Sequence, residues 1–107
     1  MAIGNIDPVV ATAVRTAARH LADLHPGKAI ELRIPPYAAV QLGTAEGGPT
    51  HRRGTPPTVV ETDADTFLAL VRGELTWQEA LASYRVSASG AHADLTEVFA
   101  SARDTLF

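Results

Sequence analysis

The side chains with chemical capacity in this sequence are four histidines, twelve carboxylates and scattered hydroxyls, with no cysteine among 107 residues. Imidazole and carboxylate together bind a divalent metal when three or four of them converge. His20 and His25 stand five residues apart at the end of an apolar-periodic stretch, a separation that does not bring both to one helix face. His51 falls in a loop-like stretch and His92 follows a strand-like run, so the spacing predicts surface histidines and no metal site. Nucleophilic catalysis would need a hydroxyl, a base and an orienting acid. There is no Gly-x-Ser-x-Gly elbow, and Ser87 and Ser89 sit where a strand needs small residues. Gly43-Thr-Ala-Glu-Gly-Gly48 places an acid where a phosphate cradle would receive its anion. The expectation is a protein without catalytic residues or cofactor, and not an enzyme. His51-Arg52-Arg53 is the compact basic cluster. Beside Gly54-Thr-Pro-Pro57 it is a candidate contact for a carboxylate or phosphate head group. The competing reading is a solvated edge strand whose charges discourage pairing.

The bulk numbers narrow the partners. A net charge of −3 and a pI near 5.7 give no whole-molecule attraction for phosphate backbones, which argues against nucleic acid. MAIGNIDPVV lacks the charged and apolar regions of a signal peptide, and no long apolar run follows. The expectation is a cytoplasmic protein without integral membrane contact. With 46% hydrophobic and 20% charged residues the chain resembles ordinary folded domains, and its length predicts one domain over residues 1–107.

The elements follow from periodicity and caps. Asp7-Pro8 is a helix start, and Val10, Val14, Ala17, Leu21 and Leu24 form one apolar stripe until Pro26-Gly27. Ile30, Leu32 and Ile34 alternate with Ala29, Glu31 and Arg33 as in a half-buried strand, interrupted by Pro35-Pro36. Tyr37 to Leu42 reads as a second strand, His51 to Gly54 as a third or only its approach, and Thr58 to Thr62 as a β-branched strand. Phe67, Leu68, Leu70 and Val71 are helical, with Gly73 placed to close the helix in the left-handed region. Thr76-Trp-Gln-Glu79 is a capping box, which opens a separate helix with Trp77, Ala80, Leu81 and Tyr84 on its inward face. Arg85 to Gly90 alternates small residues, as in a strand against which something packs closely. Asp94-Leu-Thr-Glu97 caps a last helix with Leu95, Val98, Phe99 and Ala102 as its stripe.

Val59-Val60-Glu61-Thr62-Asp63, then Phe67 to Gly73, Trp77 to Tyr84, Val86-Ser-Ala-Ser-Gly90 and Leu95 to Phe99 follow in an order that resembles the sterol carrier protein family. These are small lipid-binding domains, also called non-specific lipid transfer proteins. Gly54-Thr-Pro-Pro57, Val60-Glu61, Asp63, Leu70, Gly73, Trp77, Ala80, Ser89-Gly90 and Ala93-Asp94-Leu95 are similar to a small actinobacterial-type branch of that family. They are also similar to the C-terminal domain of mycothiol-dependent maleylpyruvate isomerase-like enzymes. The resemblance implies an α/β (α+β) fold, with a mixed, mainly antiparallel sheet of about four to five strands covered by helices. The elements read above stand in the order α-β-β-(β)-β-α-α-β-α, and the resemblance implies an apolar space between helices and sheet that can hold a lipid. The isomerases carry their metal and thiol chemistry in an N-terminal helical bundle with no counterpart in this sequence, so that reaction is not carried over.

Leu68, Val71, Trp77, Leu81, Val98 and Phe99 are the residues expected nearest that ligand space, on three helices. Helical stripes of this kind also serve as plain core. Two readings therefore stand: a non-catalytic carrier for a lipid or other apolar small molecule, and an accessory module with a filled core that forms a homodimer or meets a separate protein partner.

Overall fold

The computed structural model describes residues 6–43, 58–89 and 94–106. Helix α1 spans Pro8–Leu24, and the Asp7 carboxylate accepts from the backbone N–H of Val9 and Val10, as its position before Pro8 predicts. Its stripe buries Ala11, Val14, Ala17, Ala18 and Leu21. Leu24, expected on the same stripe, is exposed at the last helical residue.

Strands β1 (Ile30–Ile34) and β2 (Ala38–Leu42) pair antiparallel, with Ile30 opposite Leu42 and Ile34 opposite Ala38. The prolines expected to interrupt the strand make the hairpin turn. Pro35-Pro36 is cis, and the Tyr37 N–H donates to the Ile34 carbonyl at 2.8 Å. Strand β3 (Thr58–Thr62) runs parallel to β1, and β4 (Val86–Ser89) runs antiparallel to β3, giving the order β2-β1-β3-β4. The sheet is thus mixed and mainly antiparallel, as expected. The strand expected at His51 to Gly54 lies outside the described residues.

One sheet face is apolar and the other polar because the strands alternate. Ile30, Leu32, Ile34, Leu42 and Val60 are buried, while Arg33, Gln41 and Glu61 are exposed between them. Helix α1 packs on β2 and on the helices α2 (Ala64–Arg72) and α4 (Thr96–Leu106). In β4 only Val86 is buried. Ser87, Ala88 and Ser89 are exposed, so the close covering expected for these small residues is absent along the described edge strand.

Helix α2 starts at Asp63, whose carboxylate accepts from the Thr66 N–H at 2.7 Å. It ends at Gly73, in the left-handed region at φ 78°. Helix α3 (Trp77–Ala82) opens with the full capping box: Glu79 N–H donates to the Thr76 hydroxyl, and Thr76 N–H donates to the Glu79 carboxylate. The stripe expected to reach Tyr84 stops at Ala80. Tyr84 takes φ 58° after the helix, and the Arg85 N–H donates back to the Ala80 carbonyl at 2.9 Å. This left-handed step closes the helix early and leaves Leu81 and Tyr84 exposed, which corrects their expected inward placement. The chain after it is held by side chains: the Thr62 hydroxyl donates to the Arg85 carbonyl, and Arg85 Nε donates to the buried Thr66 hydroxyl.

Asp94 acts one residue further out than a capping box would place it. Its carboxylate accepts from both the N–H and the hydroxyl of Thr96 at the start of α4. Hydrogen bonds from Thr76 hold the Glu79 carboxyl below its usual value, and those from Thr96 do the same for Asp94. A depressed folded-state pKa means that the unfolded chain binds the proton more readily. The stability these caps supply is therefore present above the ordinary carboxylate range and is lost as pH falls below about 4. Urea midpoints from pH 6 to pH 2.5 should fall in acid less steeply for Glu79→Gln than for the unaltered protein. Identical acid limbs would show that this cap contributes nothing to the pH dependence.

Candidate functional site

Trp77 is the first residue of α3, so the capping box that starts the helix also fixes the direction in which the indole leaves the backbone. The indole stacks on Phe99 of α4, with ring centroids 6.2 Å apart and planes at 25°. Phe99 in turn meets Phe67 of α2 edge-on at 6.0 Å and 70°. All three rings are buried. This aromatic row joins the three helices whose stripes were expected to face a ligand.

Beside the row, a cleft of about 140 Å³ opens between the turn linking α2 to α3 and the outer side of α4. Leu70, Leu75, Trp77, Phe99 and Ala100 form its apolar walls. Gly73, Thr76, Gln78, Thr96 and Arg103 form the rest, and of all these residues only Arg103 carries a charge. Gln78 donates to the Thr96 hydroxyl at 3.3 Å across the cleft, and Thr96 is itself bonded to Asp94. The stem of Arg103 lies over Gly73, where a Cβ would come within 2.6 Å of Arg103 Cδ. Gly73 thus serves two needs: the left-handed turn and the close passage of this side chain.

Of the six residues expected to line a ligand space, Trp77 and Phe99 border the cleft. Val71 and Val98 are buried, and Leu68 is half-buried against the same core. Leu81 is exposed on α3 and is not brought to the others. His51, Arg52 and Arg53 lie outside the described residues. Between helices and sheet, Val14, Leu21, Leu32, Ile34, Leu42, Val60 and Phe67 each have 0% exposure, so at these positions no water-sized space adjoins them.

Sequence reasoning missed Leu70, Leu75, Gln78, Thr96, Ala100 and Arg103 as neighbours of the indole. A signal existed for part of this set: Thr96, Phe99 and Arg103 follow at i, i+3 and i+7, one face of α4. Of the four histidines expected at the surface, His51 and His92 lie outside the described residues, while His20 and His25 are partly exposed and each meets a hydroxyl of α4. His20 Nε2 lies 2.5 Å from the Thr105 hydroxyl, and His25 Nε2 lies 2.7 Å from the Ser101 hydroxyl, both along the seam of α1 with α4. Among the described residues no group of three His, Cys, Asp or Glu is placed to hold a metal, and no helix is long and apolar enough to cross a membrane.

The arrangement can hold a small apolar body against two stacked rings. The profile of a family described as "Bacterial SCP ortholog" fits residues 8–100. No curated protein matches the chain.

Proposed function

The chain belongs to the bacterial sterol carrier protein-like family, and from that premise we propose that it binds and releases an apolar small molecule without a chemical step. The observation that carries the proposal is the cleft of about 140 Å³ walled by Leu70, Leu75, Trp77, Phe99 and Ala100. A cavity of roughly 150 Å³ accepts a benzene-sized guest in another protein. The cleft therefore suits a ring or a chain end of about six carbons. A longer lipid would leave the remainder of its chain outside these walls. Binding would draw on about 25 cal/mol for each Å² of apolar surface removed from water, less the cost of ordering the ligand.

The filled positions between helices and sheet favour a second reading, an accessory module that acts through a protein partner or as a homodimer. One experiment separates the two. Trp77 is the single tryptophan, so its emission reports from the cleft wall alone. Titration with straight-chain alcohols of four to twelve carbons should give a saturable change at one ligand per chain, with the gain per added carbon flattening near six. No saturable response across the series, together with a concentration-dependent dimer in sedimentation, would replace the carrier reading with the module.

A further inference from the structure

The cleft is apolar on its walls and has one cation and no carboxylate among its lining residues, in a chain whose net charge is −3. Arg103 is that cation. Its Nε lies 3.4 Å from the carboxylate of Asp104, the next residue, and both side chains are more than half exposed, which makes that pair weak. The terminal guanidinium nitrogens have no partner among the described residues. The stem, laid over Gly73, keeps the guanidinium near the cleft instead of leaving it free on the helix surface. The nearest polar neighbours are spent in part: Thr76 caps α3, and Thr96 bonds Asp94 and receives the Gln78 amide.

We infer that the ligand is a short apolar carboxylate, with its hydrocarbon part of about six carbons against Trp77 and Phe99 and its carboxylate on Arg103. This rests on the cleft being the binding site proposed above, and it adds the chemical class. A guanidinium fork matches a carboxylate in two parallel hydrogen bonds, which an alcohol cannot accept in the same way. A neutral sterol would leave the guanidinium without a counter-charge.

The test compares hexanoate with 1-hexanol, by Trp77 fluorescence and calorimetry, on the unaltered chain and on Arg103→Met, which keeps the stem over Gly73 and removes the charge. The expected result is about tenfold tighter binding of hexanoate at low salt, a preference that shrinks as salt screens the half-exposed guanidinium and disappears in Arg103→Met. Hexanol should bind both forms alike. Equal affinities for the two ligands in the unaltered chain, or a hexanoate preference that survives in Arg103→Met, would overturn the assignment of the carboxylate to Arg103 and leave the apolar cleft standing. Failure of both ligands to bind would remove the cleft itself as the site, and this inference with it.

Discussion

Trp77→Ala should cost about 3–5 kcal/mol of folding stability and remove binding in the cleft. The indole is only 4% exposed although it borders an open space, so most of its surface is spent on protein. Truncation deletes that buried area and leaves a void that a six-residue helix can only partly close. It also removes the stacking contact with Phe99, worth about 0.5–1.5 kcal/mol beyond area. Trp77→Phe keeps a ring against Phe99 and should lose less than half as much. Urea unfolding followed by far-ultraviolet circular dichroism measures both, since the variants have no tryptophan to report. A cost under about 1.5 kcal/mol for the alanine would mean that the indole is a mobile lining and not part of the packed row.

Gly43→Ala should destabilise by about 3 kcal/mol, through backbone and not through a side chain. Gly43 follows β2, and its N–H donates to the His25 carbonyl at 2.7 Å, tying the end of the sheet to the end of α1. A Cβ at this position would overlap the Pro26 carbonyl oxygen, and Gly27 Cα lies 3.3 Å from it. Two main chains meet here, so no rotamer change relieves the clash, and either the hydrogen bond opens or the hairpin shifts. For a chain of this size the loss corresponds to a fall in Tm on the order of 15 °C. A fall of less than about 4 °C would show that the His25–Gly43 contact yields cheaply.

The two variants mark how far local sequence reaches. Helix starts were readable because a cap is settled within four residues: Asp7 before Pro8, Asp63 before α2, and Thr76 with Glu79 at α3 all bond the N–H groups their positions predict. Gly73 was readable for the same reason, as the left-handed close of α2. The end of α3 was not. Tyr84 takes the left-handed position that glycine usually marks, so nothing in the local pattern stopped the stripe before Leu81 and Tyr84. The cleft was half legible. Trp77 and Phe99 follow from apolar stripes, but Arg103 depends on α4 lying across the turn between α2 and α3, and that docking is set by contacts far apart in the chain. The link of His20 and His25 to Thr105 and Ser101 was hidden in the same way. A histidine with a hydroxyl partner 76 or 85 residues away leaves no spacing signal.

Family membership points to a carrier, while Val14, Leu21, Leu32, Ile34, Leu42, Val60 and Phe67 between helices and sheet have no exposed surface. The small guest proposed for the cleft beside Trp77 is compatible with both observations.

The most direct measurement is a proton–nitrogen correlation spectrum of the labelled protein titrated with hexanoate. The single indole N–H belongs to Trp77, and the amides of Gly73, Leu75, Gln78 and Arg103 surround the same space. These signals should move together along one saturable curve, while those of Glu31, Gln41 and Glu61 on the polar sheet face stay fixed. Saturable shifts confined to the sheet, or an unmoved indole signal at saturating ligand, would contradict binding in the cleft.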